Sequence, residues 1–153
     1  MTRKSAREYA VGIVYCFDYG ARPRELLDER LSGEFFTRVS GEDALFDALF
    51  EDPPDDKQKE YIARLVTGVY EHLVELDGYI EKYASGWKFN RLPRMALAVM
   101  RVCMYEVLYM QDIPSGASMN EAVEISKHYE PADVTAFING ILGSFSRSEV
   151  SDG

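Results

Sequence analysis

Asp112-Ile-Pro-Ser-Gly-Ala-Ser-Met-Asn-Glu-Ala-Val-Glu-Ile-Ser-Lys-His-Tyr129, followed by Phe137-Ile-Asn-Gly-Ile-Leu142, decides the fold of this chain. It reads as a loop, a capped helix, a break at Pro131 and a second helix. Ser118-Met-Asn-Glu121 has capping-box spacing, in which the serine and glutamate side chains each satisfy an exposed backbone N–H. Met119, Ala122, Val123 and Ser126 then share one side. Asp133 is placed to cap the next helix, where Val134, Phe137, Ile138, Ile141 and Phe145 recur at helical spacing. Nothing in the stretch has the chemistry of a catalytic centre.

The same periodicity runs upstream. Ser5-Ala-Arg-Glu8 is another capping-box match. Tyr9, Ile13 and Phe17 follow at i, i+4 and i+8, and Gly20 stops the helix. Pro23 opens a second helix, with Leu26, Leu27 and Leu31 on one side and Gly33 as its stop. Residues 34–56 read as a connection with a short helix around Leu45, Phe46, Leu49 and Phe50, ended by Pro53 and Pro54. Asp55 or Asp56 caps a long third helix whose face runs Tyr61, Ile62, Leu65, Val66, Val69, Leu73 and Leu76. Gly68 in mid-helix costs about 1 kcal/mol, which points to close packing there. Asp77 is placed to cap a short fourth helix through Tyr83. Pro93 opens a fifth, with Met95, Val99, Val102, Cys103 and Leu108 buried, and Ile113-Pro114 ends it. No convincing alternating strand pattern or fixed-period repeat is present. The expected architecture is a single all-α domain over residues 1–153, with about seven helices.

Composition narrows the function. The formal net charge of -9 counts against a generic nucleic-acid binder. The charge is uneven, however. Arg3, Lys4 and Arg7 open the chain with no acid among them, whereas Glu42, Asp43, Asp47, Glu51, Asp52, Asp55 and Asp56 form an acidic stretch. A basic end on an acidic body suits RNA at the end and a basic protein on the body. The acidic run lacks the spacing of a calcium loop and reads as solvated surface. No apolar run is long enough for a membrane span, and no apolar segment after Arg3 and Lys4 marks a secretory signal. Cys16 and Cys103 sit in helical patterns and read as reduced core thiols of a cytoplasmic protein, with a disulfide between them as the lesser alternative.

Catalytic chemistry finds no foothold. His72 and His128 lack a second ligand at metal spacing, no glycine-rich phosphate loop follows a strand, and no carboxylate pairs with a nucleophile pattern. No cofactor is expected. Glu106 stands out because it lies in the apolar stretch Arg101-Val-Cys-Met-Tyr-Glu-Val-Leu-Tyr109 and needs a partner if buried. Asn120 and Glu121 carry the same ambiguity between structure and function. Phe137 fits the apolar face with Ile141, so packing is its default.

The order of several pieces resembles the NusB family of bacterial transcription antitermination factors. These are Ala6-Arg-Glu-Tyr-Ala-Val11 with Tyr15, Gly68-Val69, Leu76-Asp77, Tyr83, Arg101, Tyr105-Glu106, Asn120-Glu-Ala-Val-Glu124 and Phe137-Ile-Asn-Gly-Ile-Leu142. The resemblance covers nearly the whole chain. It implies about seven helices in two small packed bundles. It implies binding to boxA RNA of ribosomal RNA leaders as a heterodimer with NusE, a small-subunit ribosomal protein. It further implies assembly with NusA, NusG and RNA polymerase to suppress premature termination. Some members form homodimers that hide the RNA face. By this likeness RNA would meet Arg3, Lys4, Arg7, Tyr83, Asp133 and Phe137, and Tyr15 would meet NusE. Ser5 thins the basic cluster relative to some members, which implies weaker RNA affinity without the partner.

Two rival readings have different chemistry. One is a protein-only helical adaptor that uses its acidic surface to hold a basic partner. The other is enzymatic, since a similar fold precedes the methyl-transfer domain of an rRNA cytosine methyltransferase. A chain of 153 residues leaves no room for such a domain.

Overall fold

The computed structural model describes residues 1–32 and 52–150. The expected short helix near Leu45 to Phe50, the Gly33 stop and most of the acidic stretch lie outside the described residues. Among those described there are seven α-helices and no strand. They are α1 (Arg3–Tyr15), α2 (Pro23–Arg30), α3 (Asp56–Glu71), α4 (Leu73–Tyr83), α5 (Arg94–Tyr109), α6 (Ser115–Tyr129) and α7 (Ala132–Glu149), with 3-10 turns at Cys16–Tyr19 and Phe89–Arg91.

Helix α5 is the axis of the fold. Every residue from Ala96 to Val107 is buried, and a helix buried on all sides must be surrounded. On one side α1 packs against α3 and α5, with α2 resting on α3; on the other, α6 and α7 pack on α5 and on each other, and α4 bridges α5 and α7. The two small bundles thus share α5. One apolar cluster runs through both, from Ile13, Ile62 and Leu65 to Met104, Ile138 and Phe145.

Local chemistry explains several boundaries. Pro23 stands in the first turn of α2, and Asp55 caps α3 by accepting from the Gln58 N–H at 2.9 Å. Gly20 closes the turn after α1 with a left-handed φ of 82°. Gly68 is required by contact: a Cβ there would lie 2.0 Å from Tyr105 Cζ.

Four expected caps are corrected. α1 is capped by Thr2, whose hydroxyl accepts from the Ser5 N–H at 3.0 Å. Glu8 instead accepts from the Tyr129 hydroxyl at 2.8 Å and faces His128 Nδ1 at 3.1 Å. α6 starts at Ser115, three residues earlier than the Ser118-x-x-Glu121 pattern suggests, because Pro114 ends the extended approach. Ser118 is therefore buried inside the helix rather than at its start. Asp133 lies in the first turn of α7 but makes no cap bond, and Pro131 holds the capping position. Asp77 lies within α4 and binds Arg101 with two hydrogen bonds of 2.7 and 2.9 Å. The long third helix is also interrupted. His72 leaves helical geometry at φ -115°, with its ring Nδ1 2.8 Å from the Gly68 carbonyl oxygen.

Candidate nucleic-acid interface

The first turn of α1 divides its three basic residues by depth. Lys4 is exposed. Arg3 is half-buried; its Nε donates to Gln58 Oε1 at 2.9 Å and its guanidinium lies 3.9 Å above the Tyr61 ring. Arg7 is only 6% exposed. It donates from Nε and Nη2 to the two carboxylate oxygens of Glu106 at 2.8 and 3.1 Å. Tyr61 donates to Glu106 Oε2 at 3.0 Å. Glu106 is fully buried, so this triad is what satisfies its charge. Burial alone lowers the Arg7 pKa, but the hydrogen bond and charge of Glu106 outweigh it and the net direction is up. Arg7 is thereby committed to the interior, and the solvent-facing cations of this turn are Lys4 and the rim of Arg3.

Helix α6 adds charge beside α1. Lys127 donates to Glu124 at 3.0 Å. That hydrogen bond and the charge of Lys127, helped by Lys4 and His128, hold the Glu124 carboxyl below its ordinary range. Lys4 and Lys127 stand on neighbouring edges of α1 and α6, which are joined by the Glu8 contacts to His128 and Tyr129. The helical register offered a signal for the α6 edge, because Lys127 and His128 lie three and four residues after Glu124. Their nearness to Lys4 needs the tertiary fold.

The remaining expected contacts lie on α7 and at the end of α4. Tyr83 donates to Glu149 Oε1, to which Lys82 also donates at 2.7 Å. Phe137 is half-buried against Trp87, with ring centroids 4.7 Å apart and planes tilted by 43°. Phe137 and Glu149 are roughly 18 Å apart along the helix. Asp133 is exposed one turn before Phe137. Its charge, after burial, helps push the Glu130 carboxyl up. Trp87 was not singled out from sequence; a tryptophan before an exposed loop gives no sign of the ring it will meet.

Tyr15 sits at the far end of α1. Its hydroxyl lies 3.0 Å from that of Tyr19, and their rings are 5.3 Å apart. Tyr19 is 66% exposed. The basic end and this tyrosine pair are separated by the length of one helix.

No helix among the described residues is long and apolar enough to cross a membrane. Cys16 and Cys103 are both free thiols.

Comparison with known proteins places this architecture. Residues 4–147 match the sequence model of the NusB family. The chain is 40% identical over 149 residues to the transcription antitermination protein NusB of Thermoanaerobacter pseudethanolicus, an alignment spanning 97% of this chain and 93% of that protein. It is 38% identical over 151 residues to the NusB of Ruminiclostridium cellulolyticum, spanning 98% and 92%. Among solved structures, T. maritima NusB is similar with a TM-score of 0.78 at 26% identity, covering 99% of this chain and 94% of that one. A chain in the crystal structure of antitermination factors NusB and NusE in complex with dsRNA is similar with a TM-score of 0.70 at 25% identity, covering 95% and 96%. The agreement in sequence over nearly the whole length, and in the arrangement of the helices, means that this chain belongs to the NusB family.

Proposed function

We propose that this protein is an RNA-binding transcription antitermination factor that holds boxA RNA of ribosomal RNA leaders together with NusE. In this reading it works in the cytoplasm, in a complex with NusA, NusG and RNA polymerase, and carries out no chemistry of its own. The observation that carries the reading is the NusB family match over residues 4–147, joined to the likeness to a chain crystallised with NusE and dsRNA. The geometry supports it. Arg3 and Lys4 stand at the start of α1, where free backbone N–H groups and the helix dipole favour phosphate. Arg7 serves the same surface from within, by fixing α1 to α5 through Glu106. Asp133 and Phe137 on α7 and Tyr83 at the end of α4 border the RNA, and Tyr15 faces NusE.

Fluorescence anisotropy of a labelled boxA-like RNA, against a scrambled RNA of equal length, tests this with and without NusE. Tight, boxA-selective binding by the mixture is the expected outcome. Absence of RNA binding by the mixture overturns the reading. If NusE still binds in that case, the protein is the adaptor that its -9 charge also allows. Arg3→Ala with Lys4→Ala should weaken both RNAs by similar factors, because phosphate contacts carry no sequence information. Phe137→Ala should weaken boxA binding about tenfold or more through lost base stacking while NusE still binds. A large fall in melting temperature with unaltered RNA affinity would instead assign Phe137 to the core.

A further inference from the structure

From Lys82 to Tyr105 this acidic protein carries Lys82, Lys88, Arg91, Arg94 and Arg101 without a single Asp or Glu. Three of these cations are paired: Lys82 with Glu149, Arg94 with Asp18 and Arg101 with Asp18 and Asp77. Lys88 and Arg91 are exposed, and neither has an ion-pair partner among the described residues. Between Tyr83 and Lys88 the chain turns sharply. Gly86 takes a left-handed φ of 83°, and the Trp87 N–H donates to the Ala84 carbonyl at 3.2 Å. This turn presents Trp87, the chain's one tryptophan, 49% exposed and backed by Phe137. An indole held from behind by a second ring loses little freedom when a third ring stacks on its open face.

We propose that Trp87, Lys88 and Arg91 form an additional contact surface for single-stranded RNA, with a nucleobase stacked on Trp87 and the flanking phosphates held by Lys88 and Arg91. An exposed aromatic interleaved with unpaired cations is the combination that unpaired nucleic acid requires: a π-face for the base and positive charge along the backbone. A basic protein is disfavoured here by like charge. The surface adjoins Phe137 and rests on the reading of this protein as an RNA binder.

The lone tryptophan makes the test direct. Tryptophan emission is followed while boxA-containing RNA is titrated into the complex of this protein with NusE, and the same titration on Trp87→Phe isolates the Trp87 signal. RNA should quench that signal saturably, with the same midpoint as anisotropy. Trp87→Ala should weaken RNA binding about tenfold, Trp87→Phe much less. Lys88→Gln with Arg91→Gln should flatten the dependence of log K on log salt by about 1.4, at about 0.7 per phosphate on a single strand. Trp87→Leu, which keeps an apolar cover over Phe137, guards against a folding artefact: it should melt near the parent yet bind RNA as poorly as Trp87→Ala. Unchanged Trp87 emission with parental affinity in Trp87→Leu overturns this inference while leaving RNA binding intact. Loss of NusE association in place of RNA affinity assigns the surface to protein and also overturns it. Failure of the unaltered complex to bind RNA would instead remove the reading beneath it.

Discussion

Glu106 is a carboxylate with no exposed surface, held by one arginine and one tyrosine that are 99 and 45 residues away in the chain. Such a group is tolerable only while its partners are present, because an unpaired buried charge costs far more than the pair gains. Arg7→Met or Tyr61→Phe leaves Glu106 short of partners, and the arginine change should be the more severe. Urea unfolding should show a loss of about 3–5 kcal/mol for Arg7→Met and recovery of most of it in Arg7→Met with Glu106→Leu. A single-variant loss below about 1 kcal/mol would mean that water already reaches the carboxylate. The triad also sets an alkaline limit. Burial first, then the Glu106 charge, raises the Tyr61 hydroxyl above its ordinary value. The folded state therefore keeps a proton that the unfolded chain gives up near pH 10. The stabilisation is complete below about pH 10 and declines as pH rises further, since the unfolded state then binds fewer protons. Unfolding free energy measured from pH 9 to pH 11 should fall, and Tyr61→Phe should fall less steeply. Parallel slopes would remove Tyr61 from the cause.

At the scale of helices, the contact between α3 and α5 depends on a missing side chain. Alanine at Gly68 gains about 1 kcal/mol of helix propensity, yet its Cβ would overlap the Tyr105 ring. That ring is flanked by His72 and Tyr109, with centroids 5.6 and 5.2 Å away, so it has little room to retreat. Overpacking of this kind costs about 1–3 kcal/mol. Gly68→Ala should lower the melting temperature, and Gly68→Ala with Tyr105→Leu should restore part of it; a more stable single variant would show that the helices slide apart freely. The sequence already carried this contact, since a glycine in an otherwise regular helical face has a cost that needs a reason. It also carried the seven helices, because 3.6-residue periodicity survives any tertiary arrangement. Caps were less legible. Ser5, Ser118, Asp77 and Asp133 each have the residue type of a cap, but Thr2, Pro114, His72 and Pro131 occupy those places. The choice between neighbouring cap candidates is made by where the chain must enter the bundle. The fate of Arg7 was equally hidden, since Arg3, Lys4 and Arg7 look alike in sequence and only the facing Glu106 separates them by depth. Thr2→Ala offers a check on the corrected start of α1. It should cost about 1 kcal/mol, whereas Ser5→Ala should cost little.

Over the whole molecule, charge is segregated: cations gather at the start of α1, on the adjoining edge of α6 and around Lys88 and Arg91, while the net charge is -9. A basic partner such as NusE should be drawn to the acidic remainder, and its association rate measured by stopped flow should fall as salt is raised from 50 to 300 mM, on the order expected for steered encounters. A rate indifferent to salt would remove steering from the account. The long span of the Arg7–Glu106 pair has a further consequence, for synthesis on the ribosome. Helix α1 is made first, yet the side chains that cover it belong to α3 and α5. At roughly 5–20 residues per second, the 99 residues between Arg7 and Glu106 take about 5–20 s to translate. Until α3, and after it α5, has been made, the nascent first helix lacks that cover, and its apolar face of Tyr9, Ile13 and Val14 is open to chaperones or to neighbouring chains. Arrested nascent chains should therefore show protease sensitivity within residues 3–15 until α5 has cleared the exit tunnel, and abrupt protection afterwards.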